Sequence, residues 1–182
     1  MSADHLSALS IAVGVALVAV HVPCVAAPGK ARAWAARFPR HTLSGLILAA
    51  VDLLWSGWLL FHTPLGRFEG LKPLLYVLTP LALFLVAKVM DDLLAARALG
   101  GLLLLVPTPL LQAARWHPSA FRYPVLVAAY ALAVAGMALV LNPYLFRKTA
   151  ERLLRSDAST RWCGWAGLAA GAALAILGLL VF

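Results

Sequence analysis

The chain alternates between long apolar runs and short polar connections. Six runs stand out, about Ser7–Ala27, Thr42–His62, Leu71–Val89, Leu93–Ala113, Pro124–Leu141 and Trp162–Phe182. Each is close to the ~20 mostly apolar residues that an α-helix needs to cross the hydrocarbon of a bilayer. Together they use most of the 182 residues, so no room remains for a soluble domain. The pattern predicts a single all-α membrane domain of six transmembrane helices, grouped as three hairpins over about residues 1–62, 63–114 and 115–182.

The basic residues give the spans a direction. Of the fifteen Lys and Arg residues, eleven fall in every second connection. Lys30, Arg32, Arg37 and Arg40 follow the first run, Lys88 and Arg97 flank the turn between the third and fourth, and Arg147, Lys148, Arg152, Arg155 and Arg161 lie between the fifth and sixth. Arg67, Lys72, Arg115 and Arg122 sit in or beside the intervening segments. Positive residues near span ends resist translocation. The richer set is therefore expected on the cytoplasmic side, with both termini outside.

Composition changes this picture little but excludes several classes. A mean hydropathy of +0.91 with 12% charged residues is far from a soluble domain, in which about a quarter of residues are charged. A pI near 10.2 would suggest nucleic acid in a soluble protein. Here the basic residues flank spans, where they orient helices and meet anionic lipid headgroups, and nucleic acid is not an expected partner. Ala26 and Ala27 give the first run a faint likeness to a secretory signal. However, Met1–Ser10 lacks Lys and Arg and the basic cluster follows the run, so a retained helix is expected. Cys24 and Cys163 come out near cytoplasmic span ends, a reducing side that disfavours a disulfide, and two isolated cysteines have no metal-site spacing.

The return spans share an opening in which Arg precedes Gly: Arg40-His-Thr-Leu-Ser-Gly45, Arg97-Ala-Leu-Gly100 and Arg161-Trp-Cys-Gly164. Arg reaches the headgroups while Gly lets a neighbouring helix come close. The first and last basic connections each begin with Pro, at Pro28 and Pro143. In the last, Asn142 is a suitable N-cap and Pro143 a suitable first helical residue. A helical wheel of Leu145–Arg155 puts Leu145, Phe146, Thr149, Ala150, Leu153 and Leu154 in one half and Arg147, Lys148, Glu151, Arg152 and Arg155 in the other. That division predicts a helix lying in the membrane interface. Arg147, Lys148, Arg152 and Arg155 then form either a docking surface for a partner or anionic lipid, or a headgroup anchor that only sets helix tilt. In Lys30–Arg40, Trp34 and Phe38 share a face and Pro39 ends the helix.

The Asn142-Pro143-Tyr144-Leu145-Phe146-Arg147-Lys148 junction and the Arg161-Trp-Cys-Gly-x-x-Gly167 start of a Gly-rich span carry one resemblance. Over Ala138–Leu180, less than a quarter of the chain, the sequence resembles small two-helix inner-membrane hairpin proteins of bacteria whose role is uncharacterised. Those proteins are usually a single hairpin with a Tyr-Pro junction, whereas this chain has Pro-Tyr and embeds the hairpin among six spans. The resemblance implies a bacterial inner-membrane setting and no activity.

Asp52 stands at the centre of the second span, where a carboxylate costs roughly 2.5–3.5 kcal/mol on insertion scales. Two readings compete. Asp52 is a proton or cation site, or it is a protonated acid bonded to another helix through Tyr130, Thr79 or a carbonyl freed by proline. Pro80 and Pro107-Thr108-Pro109 are expected to interrupt spans three and four, which makes Asp52, Thr79 and Thr108 a conceivable intramembrane site. Transporters, though, usually pair discontinuous helices in two related halves. His21 is the only histidine well inside a span and lacks a partner for bis-His ligation; His62 and His117 sit near the outer surface and His5 in the outer tail. A hydrogen-bonded His21 is therefore expected over a haem ligand, and His21-x-x-Cys24 gives two ligands but no closed metal site.

Met90-Asp91-Asp92-Leu93-Leu94-Ala95-Ala96-Arg97 matches only the start of the phospholipid-head-group transferase motif. The further aspartates needed to hold metal are missing from Gly100–Ala113, and Asp91 and Asp92 read more simply as the turn and cap of span four. Gly167-x-x-x-Gly171 gives span six a smooth face, for packing inside the bundle or for dimerisation. Trp55, Trp58, Trp116, Trp162 and Trp165 lie mostly toward span ends, where aromatic belts form.

With no catalytic motif and no cofactor expected, the sequence points to a non-enzymatic accessory or scaffold subunit, surrounded by lipid and by other membrane protein subunits. A small proton- or cation-coupled carrier or channel using Asp52 is the competing class. The topology yields a direct prediction: in intact cells, a membrane-impermeant thiol reagent should label Ser119→Cys and leave Ser156→Cys untouched. Labelling of Ser156→Cys alone would reverse the orientation.

Overall fold

In a computed structural model of the chain, which describes residues 3–89, 93–115 and 118–180, helix accounts for nearly every described residue and no strand occurs among them. In chain order the helices are α1 (Ala3–Ala26), α2 (Pro28–Arg37), α3 (Thr42–His62), α4 (Leu75–Val89), α5 (Leu94–Leu105), α6 (Pro107–Ala114), α7 (Arg122–Leu141), α8 (Tyr144–Leu153) and α9 (Asp157–Leu180). Six stretches are long and apolar enough to cross a membrane, α5 and α6 together making the fourth. The chain is a multi-pass membrane protein by this measure.

Local chemistry accounts for several of the helix starts. Pro28 opens α2 at its first turn, where a missing N–H costs nothing. The His41 ring accepts the Ser44 N–H at 3.1 Å and so caps α3. Ahead of α9, Ser156 and Ser159 cap each other reciprocally. The Ser156 hydroxyl accepts the Ser159 N–H at 3.1 Å and the Ser159 hydroxyl accepts the Ser156 N–H at 3.0 Å, satisfying two amides that the helix leaves open.

Two local expectations change. Asn142 does not cap α8 with its side chain. It ends α7 at φ −139°, ψ 83°, and its carbonyl accepts the Leu145 N–H at 3.0 Å, so the new helix starts at Tyr144 with Pro143 bending the chain. Pro80 does not interrupt span three. It lies inside a continuous α4, while the departure from α-geometry comes earlier, in 3-10 turns over Gly66–Leu74 that contain Pro73. Span four does divide at the proline pair. Val106 keeps helical angles and bonds back to Leu102 at 3.0 Å, and the two ring nitrogens that follow leave the Leu103 and Leu105 carbonyls without their usual donors. The expected turn and cap at Asp91 and Asp92, and the placement of Trp116 and His117, lie outside the described residues.

The closest-packed pair of spans comes from the two ends of the chain. The most extensive contact joins α1 to α9, followed by α5 to α7 and α3 to α5, while α4 packs chiefly on α3. Lipid supplies no hydrophobic force between helices, so close packing needs small residues. Gly164, Gly167, Gly171 and Gly178 of α9 meet, in turn, Val25, His21, Gly14 and Ile11 of the antiparallel α1. A Cβ built on Gly14 would lie 2.6 Å from the Gly171 carbonyl oxygen, and one on Gly171 would lie 2.8 Å from that of Gly14. Ser7 adds a hydrogen bond to the Gly178 carbonyl at 2.6 Å. Gly100 of α5 and Gly136 of α7 repeat the reciprocal arrangement at 3.0 and 2.8 Å. At one end of the bundle, Leu6, Leu110, Ala114, Val125, Ala129 and Leu174 form a core shared by α1, α6, α7 and α9.

Candidate functional site

Asp52 and the basic residues of α8 are the two places with chemistry, and they sit in different layers of the molecule. Around Asp52, α3 runs parallel to α5. Near its start Gly45 lies against Leu94 and Ala95, and seven residues later Asp52 faces Gly101. A Cβ on Gly101 would come within 2.5 Å of Asp52 Oδ2. The carboxylate therefore occupies a notch that only glycine leaves open. Its other oxygen, Oδ1, is buried with no hydrogen-bond partner among the described residues.

The three residues expected beside Asp52 are not gathered there. Tyr130 is 62% exposed on α7 and faces outward. Thr79 of α4 meets α3 at Gly57, where its Oγ1 would lie 3.0 Å from an added Cβ, and Gly57 is about 140° round the helix from Asp52. Thr108 lies seven residues, about 10 Å of helix, beyond Gly101. Helix phase separates Tyr130 and Thr79 from Asp52, and depth along the helix separates Thr108, features that counting polar residues per span does not register.

His21 Nδ1 bonds back to the Leu17 carbonyl at 2.8 Å, and its ring is seated against Gly167. His62 bonds the Trp58 carbonyl at 2.8 Å. Gly167 and Gly171 both face α1 within the same chain. Among the described residues no group of three or more His, Cys, Asp or Glu is disposed to hold a metal ion.

The second place is a cleft of about 900 Å³ between α2 and α8. It combines Arg32 and Arg40 from the first basic connection with Arg147 and Arg155 from the last, and Tyr144 and Glu151 also line it. Phe146 reaches across to Phe38 with ring centroids 5.3 Å apart, and Phe38 in turn meets Trp34 at 4.9 Å, so an aromatic stack joins the two helices. Arg32 donates to Asp157 at the start of α9 at 2.6 Å. Arg147 lies over the Tyr144 ring, 4.9 Å from its centroid, and donates from Nη2 to the Tyr144 hydroxyl at 3.1 Å. Its Nε is 3.1 Å from Glu151 Oε1, yet the N–H does not point at that oxygen and remains buried without an acceptor.

The basic stripe expected on α8 is thereby split. Arg147 and Arg155 line the cleft, whereas Lys148 and Arg152 are exposed outside it. Sequence reasoning missed Arg32 and Arg40 as members of this group, because they lie more than 100 residues away in the chain. The shared design of the two connections, Pro followed by interleaved basic and apolar residues, was the signal that could have joined them.

The Asp52 notch makes a size-exchange prediction. Gly101→Ala alone should destabilise the protein by about 1–3 kcal/mol, as overpacking does, and Asp52→Ala in the same chain should recover most of that loss. Thermal unfolding in detergent of the two single variants and the double variant measures the coupling; strictly additive effects would separate Asp52 from Gly101. In comparisons with protein-family models, curated proteins and solved structures, none matches the chain.

Proposed function

We propose that the chain is a non-enzymatic scaffold or accessory subunit of a larger assembly in the bacterial inner membrane, with both termini outside and α2 and α8 on the cytoplasmic face. The observation that carries this reading is the seating of the Asp52 carboxylate in the Gly101 notch. There the acid fixes the register of two parallel spans. The carboxylate lies against the Gly101 backbone, and among the described residues no group of three or more His, Cys, Asp or Glu gathers around it.

The glycine contacts that hold α1 to α9 and α5 to α7 support a framework that keeps one shape. The exposed apolar sides of α3 and α4, including Leu54, Trp58, Val77 and Phe84, leave a broad surface for lipid and for other membrane subunits. Orientation rests on the basic connections, and the bacterial setting on the resemblance of the last hairpin.

The unpartnered Oδ1 of Asp52 favours the second reading, a small proton- or cation-coupled carrier. An ionisable group buried at mid-membrane is by default a functional candidate. Asn keeps the shape and hydrogen-bonding capacity of Asp but cannot cycle a proton. In proteoliposomes with an imposed proton or cation gradient, the scaffold reading predicts that wild type and Asp52→Asn leak equally slowly and that Asp52→Asn keeps wild-type stability. A flux present in wild type and abolished by Asp52→Asn, with the fold intact, would replace the scaffold by the carrier.

A further inference from the structure

We infer that the cleft between α2 and α8 is a binding site for the phosphate group of an anionic phospholipid. The inference holds for a scaffold and for a carrier alike, since it concerns neither Asp52 nor transport.

The cleft concentrates four guanidinium groups against one lining carboxylate, so its field selects an anion. Arg32 and Arg147 have acidic neighbours in Asp157 and Glu151. Arg40 and Arg155 have none within ion-pair distance among the described residues and project exposed at the rim. The planar fork of a guanidinium matches two oxygens of a phosphate, and several forks can share one phosphate group. Tyr144 holds the Arg147 guanidinium from its face and through its hydroxyl, which keeps the fork pre-set.

The walls identify the source of the phosphate. Ala33, Pro39, Leu93 and Leu154 also line the cleft. Apolar walls offer a soluble ion nothing, but they suit the glycerol and first methylenes of a lipid. The cleft is built between two amphipathic helices at the ends of the spans, the depth at which headgroups lie. A peptide carboxylate would meet the same arginines, yet it would arrive from solution without an acyl chain for those walls.

The test uses the full-length protein, purified and delipidated in a nonionic detergent, at salt that screens surface charge beyond about 8 Å. Native mass spectrometry reads binding of phosphatidylglycerol, phosphatidylethanolamine and inorganic phosphate in separate titrations. One phosphatidylglycerol per chain should bind more tightly than phosphatidylethanolamine, with inorganic phosphate unable to compete at similar concentration. The double variant Arg40→Gln with Arg155→Gln should weaken phosphatidylglycerol by roughly tenfold or more, the scale of lost charge-assisted hydrogen bonds. The double variant Lys148→Gln with Arg152→Gln removes the same charge outside the cleft and should change binding by less than about threefold.

Ala33→Glu provides a second route that deletes no arginine: a carboxylate placed on the cleft wall should abolish the tight lipid while leaving the thermal midpoint near wild type. Equal losses in the two double variants would mean attraction to the whole basic surface and overturn the site. Inorganic phosphate binding as tightly as phosphatidylglycerol would overturn the lipid as its source. Undiminished binding in Ala33→Glu would place the lipid elsewhere.

Discussion

The contact between Gly14 and Gly171 sets how the first and last spans meet, and much of the remaining structure follows from it. Each backbone carbonyl lies where the other residue's Cβ would be, so the two helices approach to a separation that no other residue pair permits. In a bilayer this closeness is the source of the association, since dispersion contacts grow with proximity and lipid exclusion adds no hydrophobic force. Gly164, Gly167 and Gly178 extend the approach along the helix. Because α1 runs directly into α2 and α9 follows directly on α8, clamping α1 to α9 brings the two basic connections side by side. The Arg32–Asp157 ion pair and the Phe38–Phe146 contact then fix what the spans have already brought together. The arginine-lined cleft is a consequence of span packing, not of any local motif.

α5 organises the other half. Gly100 and Gly101 are consecutive and so point about 100° apart on the helix, and each receives a different neighbour. Gly100 meets Gly136 of α7, while Gly101 receives the carboxylate of Asp52 from α3. A polar group within a span is held here by shape. Deleting one side chain at position 101 makes room for a larger one at position 52, which ties the unusual residue of α3 to the unusual pair in α5.

The sequence made the six spans legible because lipid as a solvent imposes length and composition on each span separately, and both can be read without knowing any neighbour. The amphipathic character of residues 145–155 was legible for the same reason, as was the division of span four at Pro107 and Pro109. Partner choice was not. Gly167 and Gly171 signalled close packing, but one helix cannot say whether its smooth face meets a span of its own chain or of another. Tyr130, Thr79 and Thr108 looked equivalent as polar residues within spans, and only helix phase sends Tyr130 outward and Thr79 to Gly57. Arg32 and Arg40 joined Arg147 and Arg155 only once the ends of α1 and α9 were known to coincide.

The pairing of α1 with α9 can be read from the native thiols. Cys24 lies where a Cβ on Gly164 would be 3.0 Å from its own Cβ, and Cys163 is the adjacent residue; both are free. A short bifunctional maleimide applied to membranes should join Cys24 to Cys163 within one chain, giving a monomer whose N-terminal and C-terminal fragments stay linked after cleavage of a protease site inserted between Ser119 and Ala120. Cross-links found only between chains, or none although both thiols are alkylated, would contradict the clamp on which this account depends.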